Sequence, residues 1–138
     1  MSEAYVPSVW RWEHEGGAIG VVERYLLGSL FADISGILEC DGLAPADFAD
    51  PGHGAVFQTT KEMLKPGQPR PNLQLVSVEL ERRGVRPPAG APDWFTALLH
   101  IPDAVDEVMV REYVRAIKTA ARDRRIDAWQ RRPPDATT

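Results

Sequence analysis

The 138-residue chain holds one cysteine, Cys40, so no intrachain disulfide can form, and a reducing, cytoplasmic setting is expected. No basic segment followed by an apolar run opens the sequence, so no signal peptide is read there. The longest strongly apolar run, 25–32, is less than half of a membrane span. Phosphate-binding loops of the G-x-x-x-x-G-K-[ST] type are missing, and so is G-x-G-x-x-G: Gly16, Gly17 and Gly20 have the wrong spacing and no strand before them. His14, His53, His100 and Cys40 are scattered without ligand spacing, so no metal site is expected. Neighbouring acids such as Glu79/Glu81 and Asp106/Glu107 diverge on a helix and do not form a general acid–base pair. A Cys40 nucleophile served by a distant histidine is outweighed by a half-buried thiol at a helix end. Neither an enzyme nor a cofactor is expected.

What is present is an ordinary globular composition, 43% hydrophobic and 26% charged, in a length that suits one domain. The formal charge of −4 supplies no bulk attraction to nucleic acid or to an anionic membrane. That charge is unevenly spread. Residues 1–108 hold 8 basic and 16 acidic side chains, whereas residues 109–138 hold 8 basic and 4 acidic ones. An acidic body with a basic C-terminal arm can attract its own copies or an acidic partner, although a solvated helix face is the plainer reading.

Three segments follow: an irregular extension over 1–16, which carries Trp10 and Trp12; a helical domain over 17–129; and a disordered tail over 130–138, rich in proline and polar residues. The apolar spacing predicts an all-α fold, a small orthogonal bundle of about six helices ending in a long one. Ile19, Val22, Leu26 and Leu30 form a stripe over 18–32, widened by Leu27 and Phe31. A short helix over 34–40 has Asp33 or Ser35 as its cap, and Gly42 stops it. The stretch 43–48 is too short for a full helix and plugs Leu43 and Phe48 into the core.

Asp50 as N-cap and Pro51 in the first position start the clearest helix, with Val56, Phe57, Thr60, Met63 and Leu64 as its buried face. It ends at Lys65-Pro66-Gly67. Asn72 caps a helix over 73–83, where Leu73, Val76 and Leu80 share a face and Gly84 ends the run. A strand competes with that helix, because 73–80 partly alternates. A short helix over 93–100 turns Trp94, Leu98 and Ile101 inward.

The last predicted helix, 104–129, opens on Asp103, Asp106 and Glu107 and closes near Arg124 and Arg125, as its dipole favours. It carries two adjacent apolar lines. One is Met109, Tyr113, Ala116 and Ala120; the other is Val110, Val114, Ile117 and Ala121. A helix so lined must pack along its whole length.

The ordered set resembles the N-terminal domain of the replicative DNA helicase, the DnaB family. Glu23-Arg24-Tyr25-Leu26-Leu27-Gly28-Ser29-Leu30 is similar to that family's first helix. Residues 43–57 resemble its Leu-x-x-x-Asp-Phe-x-x-x-x-His-x-x-Ile-Phe stretch, with Asp47, Phe48, His53, Val56 and Phe57 in place. Residues 64–69 resemble its Leu-x-x-Gly-x-Pro loop, residues 79–84 its next helix end, and residues 113–126 its last helix. The likeness covers about 19–127. Asn72 stands where the family usually has an acid, and Met109 where an Asn is expected.

The resemblance implies a replication protein without catalysis of its own. The family's helicase continues into an ATPase motor, and this chain stops before one. The family pairs its subunits and docks primase or loader through a hairpin of two long helices, of which only the first arm is present here. A divergent, free-standing module is expected, binding a helicase, a primase, a loader or a second copy of itself. Its contacts would come from Met109, Val110, Tyr113, Val114, Ile117 and Ala121. The alternative is a DNA-binding protein whose Arg122, Arg124, Arg125, Arg131 and Arg132 contact phosphates. His53 is expected to hydrogen-bond back to its loop, and Gly28 to permit a close helix crossing. A truncated remnant without a present role also fits the sequence.

Overall fold

The computed structural model describes residues 17–32, 34–67, 71–99, 101 and 107–132. Among these the elements are α1 (Gly17–Ala32), the 3-10 segments η1 (Ile34–Cys40) and η2 (Pro45–Asp47), α2 (Pro51–Met63), α3 (Leu73–Arg82), α4 (Trp94–Leu98) and α5 (Glu107–Gln130). No strand occurs among the described residues, so the competing strand over 73–80 is excluded. The extension with Trp10 and Trp12, the cap candidate Asp33, Asp103, Asp106 and residues 133–138 lie outside the described residues, as does the side chain of Ser35.

The predicted helix starts are realised by side-chain caps. The carboxylate of Asp50 accepts the Gly52 N–H at 2.7 Å, with Pro51 in the first position. Asn72 Oδ1 accepts the Leu75 N–H at 2.9 Å, and Asp93 Oδ1 the Thr96 N–H at 2.8 Å. Gly84, at φ +73°, turns the chain out of α3 where a Cβ would be strained. The 34–40 segment winds as a 3-10 helix, which sets Gly36 between Leu30 and Val110, where an added Cβ would stand 3.3 and 3.6 Å from their side chains.

One apolar core joins the five α-helices. Leu26, Leu27 and Leu30 of α1 pack with Val56 and Phe57 of α2, Val76 and Leu80 of α3, Trp94, Ala97 and Leu98 of α4, and Val110, Val114 and Ile117 of α5. Leu43 and Phe48 enter it from the η1–α2 connection as the sequence predicts, and the Phe48 and Phe57 rings lie 5.2 Å apart. Each such side chain contributes roughly 1.5–3 kcal/mol when fully buried. The buried indole of Trp94 donates Nε1–H to the Val85 carbonyl at 2.7 Å, so no polar atom of that ring is stranded.

A polar latch sits inside this core. Glu23 of α1 and His53 of α2 are both wholly buried, with Nδ1 of His53 2.8 Å from Oε1 of Glu23. The same carboxylate accepts the backbone N–H groups of Ala49 and Asp50, at 2.5 and 3.3 Å. His53 therefore reaches across to α1, while its Nε2 lies 3.9 Å from the Asp50 carboxylate on its own loop. It is Glu23 that holds that loop. At the very next residue after His53, α2 lies so close to η2 that a Cβ on Gly54 would stand 2.5 Å from the Pro45 carbonyl oxygen.

Candidate interaction surfaces

The α5 helix begins packed against the body and ends free of it. Val110, Val114, Ile117 and Ala121 recur on one face and are all buried. They meet α1 and the 3-10 segments, and this coverage within the same chain corrects the expectation that the four contact another protein. Two adjacent apolar lines looked equivalent in sequence, but only a face turned to the core is this thoroughly covered.

The neighbouring line is left partly open. Met109 is 36% exposed and Tyr113, Ala116 and Ala120 are half-buried. The line runs along α1, whose Val21 and Tyr25 are 41% and 40% exposed. Tyr25 and Tyr113 join the two helices edge to face, with ring centroids 6.3 Å apart. Tyr25 and Tyr113 thus form an apolar seam at the α1–α5 boundary, extended by Val21 one turn along α1 and by Met109 one turn along α5. Sequence reasoning named the α5 half of it. The α1 half was missed, although Val21 and Tyr25 stand four residues apart and just off the stripe, where a helix edge reaches solvent.

The arginines singled out for DNA separate into two groups. Arg124 turns back to the body and donates to the Asp47 carbonyl at 2.8 Å. Arg125 pairs with the Asp47 carboxylate at 3.3 Å from an exposed position. Arg122 lies 3.4 Å from Asp123, Arg131 lies 3.2 Å from Asp127, and Arg132 stacks over the Trp129 ring at 5.7 Å. Every residue from Arg122 to Arg132 is exposed, including Ile126 and Trp129. Further up the helix, Arg111 binds Glu39 of η1 at 2.9 Å, which holds the guanidinium above its ordinary pKa.

Burial pushes the Cys40 thiol up to about 11, so at neutral pH it is a protonated, poorly nucleophilic group. A cleft of about 450 Å³ opens between α1 and α3 and is lined by Gly28, Phe31, Ala32, Asn72, Leu73, Gln74, Leu99 and Ile101, none of them an acid, a base or a nucleophile. Gly28 is buried at its wall. Among the described residues no three His, Cys, Asp or Glu side chains stand together as metal ligands. No described helix is long and apolar enough to cross a membrane.

Neither the curated proteins nor the solved structures contain a match to the chain. A family model does match, that of the DnaB-like helicase N-terminal domain, over residues 20–119. The matched stretch runs from the second turn of α1 into the middle of α5 and takes in the Glu23–His53 latch, the Gly54 approach and the whole core layer between them. With most of its length covered, the chain belongs to the DnaB-like helicase N-terminal domain family.

Proposed function

We propose that the protein is a non-catalytic accessory of DNA replication that works by docking another protein on the α1–α5 seam. The observation that carries this reading is the apolar set of exposed Val21, Tyr25 and Met109 beside half-buried Tyr113, where α1 meets an α5 whose other outward positions are mostly charged or polar. Aromatic side chains at such a seam supply most of the binding energy of ordinary protein interfaces. Only the N-terminal domain of the helicase family is matched, and no phosphate loop occurs in the chain. The work assigned to it is therefore recognition.

The partner is a replication protein (a helicase, primase or loader) or a second copy of the chain. Sedimentation velocity of the chain at high micromolar concentration, alone and with each purified replication protein of the same cell, tests the reading. Association with one partner or with itself is expected. The paired substitutions Tyr25→Glu and Met109→Glu should abolish it while the chain still melts cooperatively, at a somewhat lower temperature because the Tyr25–Tyr113 contact is lost. A chain that stays monomeric and ignores all of these proteins, or whose association survives the paired substitutions, removes the proposal.

A further inference from the structure

One flank of α5, beside its buried line and turned toward η1 and η2, is a separate surface with sorted charges, where Lys118 is half-buried and donates to the Asp41 carbonyl at 3.1 Å. At 100° per residue, Arg111, Arg115, Lys118, Arg122, Arg125 and Trp129 fall within about 80° of the helix circumference. They recur at steps of four and three residues, so the cations follow one another about every 5 Å over about 21 Å, and Trp129 extends the line to about 27 Å. The described acidic side chains of α5, Glu112, Asp123 and Asp127, lie outside that sector. The guanidinium-bearing side chains of Arg111, Arg115, Arg122 and Arg125 are 65–71% exposed. Their pairs with Glu39, Glu112, Asp123 and Asp47 are surface pairs, which are weak and leave outward-facing N–H groups for an added anion. Trp129, 64% exposed, ends the line, and Arg132 covers part of its ring.

We propose that this stripe binds a single-stranded nucleic acid, its phosphates lying along Arg111, Arg115, Lys118, Arg122 and Arg125 and a base stacking on Trp129. Three features favour this occupant over a protein. A partner helix needs apolar side chains at regular intervals, and within the sector the stripe offers only Trp129 at its end. A second copy would place arginine against arginine in a symmetric helix pair. A linear polyanion, in contrast, meets a cation at each step, and an exposed indole is a stacking platform that accepts any unpaired base. The net charge of −4 gives no long-range attraction, so affinity rests on these local contacts and is strongly salt-dependent.

Fluorescence anisotropy with a labelled oligothymidylate of about 20 nucleotides, using the full chain, tests the assignment. Binding at about 50 mM salt should fall about 100-fold by 200 mM, as five released counterions require. Binding should quench indole emission, and Trp129→Ala should remove that quench. The double variant Arg115→Glu, Arg122→Glu should lose binding at least tenfold. Arg82→Glu with Arg86→Glu, the same charge change placed off α5, should leave it within twofold. No binding at low salt, equal loss in both double variants, equal affinity for a duplex of the same length, or binding of an acidic helical peptide but not of the oligonucleotide would each overturn the proposal. Because the stripe and the α1–α5 seam share no residue, either result leaves the protein-docking test standing on its own.

Discussion

At the scale of single residues, the buried polar groups carry the most specific information. Glu23 satisfies two backbone donors and one imidazole at once, so its removal takes a partner from all three. Glu23→Ala should cost roughly 3–5 kcal/mol in urea unfolding, the range for breaking a buried pair from one side. Glu23→Gln, which keeps an acceptor, should cost clearly less. Gly54 gives a sharper test because two effects oppose each other. Mid-helix alanine is favoured over glycine by about 1 kcal/mol. Here the new Cβ meets the Pro45 carbonyl oxygen, a backbone atom that cannot swing aside, at 2.5 Å. The clash should win, and Gly54→Ala should lower the melting temperature with a net loss of about 1–3 kcal/mol. A stabilised variant would show that α2 and η2 separate freely. Neither residue could be graded from sequence. His53 and Glu23 stand thirty positions apart, and nothing in their spacing says that one ring nitrogen faces one carboxylate.

At the scale of elements, helix ends were legible and helix faces only partly so. The caps at Asp50 and Asn72 were readable because capping is a local interaction between a side chain and a backbone N–H two or three residues on. Asn72→Ala should cost about 1 kcal/mol, read as a shift of the urea midpoint at unchanged slope. At the other end of α3, Arg82 and Arg83 both hydrogen-bond the Glu79 carboxylate and hold it down to about 2 from an ordinary 4.5. A lowered carboxylate stabilises the folded state above its unfolded value and loses that contribution as pH falls toward the folded one. The stability gap between the protein and Glu79→Gln should therefore be constant above about pH 5 and close between pH 4.5 and 2. The two lines of α5 illustrate what spacing leaves open. Periodicity establishes that Met109 and Val110 begin neighbouring stripes. Which stripe faces α1, η1 and the core depends on how α5 rolls against them, and that roll is set by contacts such as Tyr25 with Tyr113 and Gly36 with Val110.

For the whole molecule, the all-helical architecture and its core were legible because one long-range pattern, apolar residues at three- and four-residue steps, repeats through the chain. The ordered motifs around Glu23, Asp47, Phe48, His53 and Phe57 added the family. The division of labour along α5 was legible in part: the two apolar lines end at Ala120 and Ala121 and mostly charged residues follow, but composition does not say whether that arm folds back on the body. The structure divides the two stretches sharply: every residue from Arg122 to Arg132 is exposed, and the arm's described ties to the body are Arg124 and Arg125 on Asp47. An arm that buries no apolar surface adds little to folding free energy, so the body should not need it. A chain ended after Arg125 should unfold in a single cooperative transition, with a melting temperature within about 4 °C of the full chain. A charge placed earlier on the same helix, at Ile117, should unfold the protein outright, because that side chain is wholly buried. If the shortened chain instead melted far lower, the arm would have to pack on the body in solution. The exposed stripe and Trp129 would then be unavailable to a nucleic acid, while the seam of Val21, Tyr25, Met109 and Tyr113 would still face solvent.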